Sequence, residues 1–301
     1  MPTPALRALL TRAASVDAPA RRANDPVRFL HRYAEPTDQE IAGVFASGLA
    51  YGRVSLFLPV LDTLFDLFDQ AGGPRAYVDG FAPARDASAL APITYRWNRG
   101  IDLAILVAAL QRTIGQGRLA DAFPAGGDQR QRLTAMISAL RSAATDRATE
   151  FGLAPKWEAL PRGLRMLLPS PADGSACKRW NLYLRWMIRG PDGVDVRAWD
   201  HVSPADLVIP LDVHVGRISR MIGLCTSPDS SWRTAEAITA ALRTLDAEDP
   251  LRFDFALAHL GISDGCSGAF QPTVCGACPL FPGCQVSQRS DARPGIDQAD
   301  S

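Results

Sequence analysis

Apolar residues recur at helical spacing in one segment after another. Ile41, Val44 and Phe45 begin one such stripe, and Thr37 with Glu40 three residues on predicts a capping box at its start. Val54, Phe57, Leu58, Leu61, Leu64, Phe65 and Phe68 outline the next, interrupted only by Pro59. Leu133, Met136, Ile137 and Leu140 mark another after the loop FPAGGDQ. Further helical patterns cover 101–114, 176–189, 213–223, 232–245 and 250–260. Sustained period-two alternation is absent, so the expected fold class is all-α. No internal repeat or low-complexity tract interrupts the pattern.

A chain of 301 residues can bury a large core, as one two-lobed body or as two domains. The pattern divides it into an N-terminal extension (1–24), a two-lobed helical region (25–262), a cysteine-bearing loop (263–285) and a polar tail expected to be disordered (286–301). The formal net charge is zero, so a nucleic-acid-binding surface must be local. No run approaches the roughly 20 apolar residues of a membrane span. The N-terminus lacks the apolar stretch of a secretory signal. The expectation is a monomer without membrane contact, in a reducing cytoplasm where clustered cysteines stay free of disulfides.

Four of the six cysteines fall together as Cys266, Cys275, Cys278 and Cys284, spaced C-x8-C-x2-C-x5-C. Four thiolates so close in sequence suit a [4Fe–4S] cluster or zinc, and spacing does not separate the two. Cys177 and Cys225 stand apart and read as ordinary small residues. His31, His201 and His259 show no metal-ligand spacing.

Two of the 32 basic residues are lysines, Lys156 and Lys178; the other 30 are arginines. A lysine kept in such a chain is a candidate for chemistry that arginine cannot perform, imine formation by a neutral amine above all. Lys178 opens the helical stretch KRWNLYLRWMIR, and a helix N-terminus is an unfavourable place for a cation. A solvated first-turn lysine is the plain alternative. Asp212 stands before the amphipathic stretch VHVGRISRMIGL, where aspartate is an ordinary N-cap. A carboxylate fixed in that place also suits stabilisation of an oxocarbenium-like centre at a sugar C1′.

LDVHVGRISRMIGL resembles the segment following the catalytic aspartate of endonuclease III-type, helix-hairpin-helix DNA glycosylases. FDFALAHLGISDGCSGAFQPTVCGACPLFPGC is similar to the C-terminal cluster region of those enzymes, with two extra residues in the first cysteine gap. GSACKRWNLYL lies over their lysine-bearing motif. More narrowly, the KRWNLYLRWM and IPLDVHVGR segments resemble a conserved but uncharacterised bacterial family. The first resemblance implies a two-lobed helical fold closed by a [4Fe–4S] loop, with zinc as the alternative. It makes Lys178 the imine-forming nucleophile, Asp212 its catalytic carboxylate, and Asn181 a family residue near DNA. His214 matches a family histidine and reads as structural.

Two departures stand out. Only Gly174 remains of the glycines that let backbone N–H groups approach a phosphate. The Lys178-to-Asp212 separation is longer than the family's usual one, and in this it resembles the archaeal 8-oxoguanine glycosylase branch. The loop GLAYGRVS offers Tyr51 and Arg53 to fill the gap left by an extruded base or to hold phosphate. Arg185, Arg189, Arg217 and Arg220 could add a local basic surface.

The resemblance thus implies a nucleoid-associated DNA base-excision repair glycosylase with possible AP-lyase activity. Its partner would be double-stranded DNA holding a damaged base, an oxidised one among the candidates. The alternative is a non-catalytic iron–sulfur DNA-binding protein. A free-standing electron carrier fits poorly, because the chain lacks ferredoxin-like spacing.

Overall fold

A computed structural model of the chain describes residues 3–15 and 18–290. These residues are mostly helical. In chain order the α-helices are α1 (Pro4–Ala14), α2 (Ala18–Arg22), α3 (Pro36–Leu49), α4 (Val54–Gln70), α5 (Pro74–Gly80), α6 (Pro83–Leu90), α7 (Gly100–Ile114) and α8 (Gln129–Asp146). They continue with α9 (Arg162–Leu167), α10 (Lys178–Ile188), α11 (Val213–Met221), α12 (Trp232–Arg243), α13 (Asp254–Ile262), α14 (Pro272–Ala277) and α15 (Gln285–Ser290). Short 3-10 turns link several of them. The strands among the described residues are a minimal hairpin, β1 (Thr94–Tyr95) paired antiparallel with β2 (Asn98–Arg99). The all-α expectation holds, and no described helix is long and apolar enough to cross a membrane.

The chain divides into two compact units, one of residues 19–206 and one of residues 1–18 with 207–301. In the first, α3 and α7 are the buried axes. Every residue of α3 from Glu40 to Leu49 is buried, as is the run Leu103–Leu110 of α7. Helices apolar on all sides must be covered on all sides. α7 is wrapped by α5, α6, α8 and α9, and α3 by α4, α5, α10 and the 3-10 turn Pro26–Arg32. α4 runs unbroken through Pro59.

The capping box expected at Thr37 and Glu40 does not form. Pro36, with its fixed φ, starts α3 at N1 behind Glu35, which leaves Thr37 inside the first turn. Glu40 turns inward instead. Its carboxylate accepts from Trp199 Nε1 at 2.7 Å, Arg118 Nε at 2.9 Å and the Leu119 N–H at 3.0 Å. Burial raises its pKa, opposed by the Arg118 charge and these donors.

In the second unit α11 packs on α13, and α12 on the 3-10 turn Pro250–Phe253. α1 belongs here: it buries Leu6, Leu10 and Ala13 and packs against α13 and the turns Pro250–Phe253 and Phe281–Gly283. Residues 4–14, read from sequence as an extension, are therefore part of this unit's core. Gln285–Ser290 forms α15, and the tail from 291 lies outside the described residues.

Candidate functional site

Lys178 is the first residue of α10, partly exposed, behind Cys177 in the left-handed region at φ 47°. Cys177 is buried, its thiol is pushed up to about 11 by burial, and it serves as a fixed corner rather than a reactive group. Three bonds lock α10 behind that corner. Trp180 Nε1 donates to Leu167 O at 2.9 Å, Asn181 Nδ2 to Ala176 O at 3.1 Å, and Gln129 Nε2 to Asn181 Oδ1 at 2.8 Å. Asn181 is fully buried, so its amide holds the loop and does not face a partner. At the far end of α10, Asp195 accepts from Arg185 and Arg189, so neither arginine is part of an open basic surface.

The loop ahead of Lys178 uses its donors internally. Ser170 Oγ accepts from the Ala172 N–H, the Asp173 N–H donates to Ser170 O, and the Gly174 N–H to Pro171 O. Gly174 takes φ +80° in open space, and its N–H is not aimed outward as a phosphate clamp requires. Beside this loop lies a cavity of about 410 Å³ lined by Arg141, Trp157, Arg165, Ser170, Asp173 and Ser175, among others.

Tyr51 and Arg53 occupy the α3–α4 connection with different fates. The Tyr51 hydroxyl donates to Asn98 Oδ1 at 2.7 Å, and its ring meets Tyr95 at 4.9 Å and the Arg179 guanidinium at 5.3 Å. It is a strut between the loop and the hairpin. Arg53 is exposed. The hairpin turn carries Arg96 at φ 51° and Trp97, which is 56 % exposed and stacked on one face by the Arg162 guanidinium at 4.8 Å. Asn98 Nδ2 donates to Gly163 O at 2.9 Å, and the buried Asp102 carboxylate accepts from the Arg99 and Leu164 N–H groups at 2.7 and 3.0 Å. Hairpin, α7 and α9 are thus one rigid piece. The sequence pattern passed over TYRWNRG because two-residue strands leave no periodic trace; its alternation of aromatic residues with arginine was the available signal.

Asp212 lies in the other unit. It is the N-cap of α11, with Oδ1 accepting from the Val215 N–H at 2.7 Å. His214 lies over Gly261 of α13, where an added Cβ would come within 2.5 Å of its Nδ1, and it contacts Arg217 at 3.3 Å. That is a structural place for the histidine. Arg217 also donates to Cys266 O, so α11 is tied to the cysteine loop.

The four clustered cysteines lie close enough for charge on one thiol to act on the next. The charge of Cys266 and Cys284 acts on Cys278, and that of Cys266 and Cys275 on Cys284; burial is the larger cause raising both. Backbone N–H groups of Leu280 and Phe281 point at the Cys278 sulfur, and those of Val286 and Ser287 at Cys284. Partly buried thiols supplied with backbone N–H donors are surroundings that thiolate ligands of a metal centre can use. Among the described residues no group of three or more His, Cys, Asp or Glu is drawn close enough for a single metal ion. A cluster, whose thiolates bind separate irons, holds its ligands farther apart than a lone ion.

A family model described as "Protein of unknown function (DUF2400)" matches residues 25–263, and the chain belongs to that family. This overturns the helix-hairpin-helix glycosylase membership expected from the motifs. The residues that carried the resemblance have local structural duties: Asp212 caps a helix, Asn181 braces a loop and Gly174 closes a turn. Such duties recur in unrelated helical proteins. The match ends before Cys266, so the cysteine group lies outside it. No curated protein and no solved structure matches the chain.

Proposed function

We propose that the chain acts on DNA as a base-excising N-glycosylase with lyase chemistry at Lys178. The observation that carries this reading is the placement of Lys178. One of two lysines among 30 arginines, it is partly exposed at the head of a braced helix, in the unit that also presents Arg53, Arg96, Arg162 and Arg165 to solvent. In this reaction the neutral Nζ attacks C1′ of a nucleotide turned out of the duplex. The N-glycosidic bond breaks, its electron pair leaves with the base, and loss of the amine proton with opening of the sugar gives an imine. Asp212, in the other unit, is a separate candidate for proton transfer and is tested on its own. Cys266, Cys275, Cys278 and Cys284 would hold a [4Fe–4S] cluster, which would fasten the C-terminal segment and supply no redox step.

The test is borohydride trapping of purified protein on duplexes containing 8-oxoguanine, uracil or an abasic site. A covalent adduct lost in Lys178→Ala supports the lyase. Base release that survives Lys178→Ala but is lost in Asp212→Asn moves the chemistry to a water activated by Asp212. A second reading, a DNA-binding protein without catalysis, is favoured by the loop before Lys178, whose donors are internally engaged. Binding without base release across the lesion panel selects it.

A further inference from the structure

We propose that the hairpin turn Arg96–Trp97 is a base-stacking wedge, set in a basic surface that takes DNA where its stack is interrupted. The inference rests on the DNA reading above and adds to it the surface and the contact. Large apolar side chains are exposed in this unit at Leu56, Trp97 and Ile101, and all three lie around the α3–α4 connection, the hairpin and the start of α7. Trp97 is the most exposed of them. A tryptophan needing only burial would be turned inward, as Trp186 and Trp199 are.

The wedge is rigidly mounted. Its carbonyl lies so close to α9 that a Cβ on Gly163 would come within 2.5 Å of it. Asn98 is pinned to Gly163 and Tyr51, and the Tyr95 hydroxyl donates to Tyr51 O. Gly52, at φ +85°, lets the Arg96 guanidinium pass close by; a Cβ there would lie 2.8 Å from Arg96 Cζ. One indole face is covered by Arg162, which leaves the other for a planar partner.

Charge identifies the partner. Arg53, Arg96, Arg162 and Arg165 are exposed, and no ion pair joins any of them to a carboxylate among the described residues. Of the other exposed arginines of this unit, Arg32 is paired with Asp62, Arg85 with Asp86 and Arg112 with Asp146, whereas no ion pair joins Arg99, Arg130 or Arg197 to a carboxylate among the described residues. Arg162 and Arg165 share a face of α9, three residues apart, and Arg165 lines the cavity beside the loop preceding Lys178. Unpaired guanidiniums track phosphates, and an exposed indole among them stacks on a base.

Fluorescence anisotropy of full-length protein decides the matter, with three labelled probes: a matched duplex, the same duplex with a central tetrahydrofuran abasic site, and the single strand. The abasic duplex is expected to bind tighter than the matched one. Trp97→Ala should weaken that binding roughly ten-fold, with Trp97→Phe restoring most of it. Arg96→Ala should lower the slope of log K against log salt by about one. A single strand preferred over both duplexes, with the same loss in Trp97→Ala, keeps the stacking role and assigns it to unpaired strands. Wild-type binding that Trp97→Ala and Arg96→Ala leave unchanged overturns the wedge while the DNA reading stands. Absence of binding to every probe at low salt overturns both.

Discussion

Asp195 is the anion on which the far end of α10 depends. It is 1 % exposed and accepts from Arg185 Nε at 3.1 Å, Arg185 Nη2 at 3.0 Å and Arg189 Nη1 at 2.6 Å. Arg185 is 2 % exposed, so neither it nor the carboxylate has water as a substitute. Asp195→Asn keeps the shape and removes the charge. Arg189 retains Asp192 at 2.5 Å, but the buried Arg185 loses its carboxylate. Breaking a buried pair from one side costs about 3–5 kcal/mol. The exposed pair Arg112–Asp146 is the control, and Asp146→Asn should cost less than about 1 kcal/mol. Urea unfolding followed by tryptophan fluorescence suits the comparison, because all tryptophans but Trp232 lie in residues 19–206. A loss below about 1 kcal/mol for Asp195→Asn would refute the premise that Arg185 depends on it.

Other outcomes follow from single contacts. Cys278→Ser should abolish bound iron and sulfide in purified protein and loosen the C-terminal segment to proteolysis; a colourless wild type containing zinc instead would sink the cluster assignment. Tyr51→Phe removes the bond to Asn98 and should cost about 1 kcal/mol in urea unfolding, and an unchanged midpoint would show that the strut carries no load. Asp212→Ala should lose about 1 kcal/mol through its N-cap, whereas Asp212→Asn, an equally good cap, should keep stability and lose only what the charge does.

Long amphipathic helices were legible in the sequence because their stripes face a core: α4, α7 and α8 lie close to where the apolar spacing put them. The start of α3 was misread because two start signals overlap there, and Pro36 prevails over Thr37. The buried charges were not legible. Glu40 finds Arg118 and Trp199 far along the chain, and nothing near Glu40 announces either. The same holds for Trp97, whose exposure depends on where α9 and the α3–α4 connection meet the hairpin. The cysteine quartet stands out in the sequence as a candidate ligand set because its spacing is local, and that spacing does not choose between iron–sulfur and zinc.

The features that suggested chemistry fall into separable parts. Lys178 and the hairpin lie within residues 19–206, whereas Asp212 and the cysteines lie in the other unit. The family match includes Lys178, Trp97 and Asp212 but stops before Cys266. Chemistry at Lys178 therefore does not have to stand or fall with the cysteine group. Loss of the cluster on Cys278→Ser with residues 19–206 still folded would leave binding at the hairpin intact. Loss of Trp97-dependent binding along with the cluster would contradict that separation.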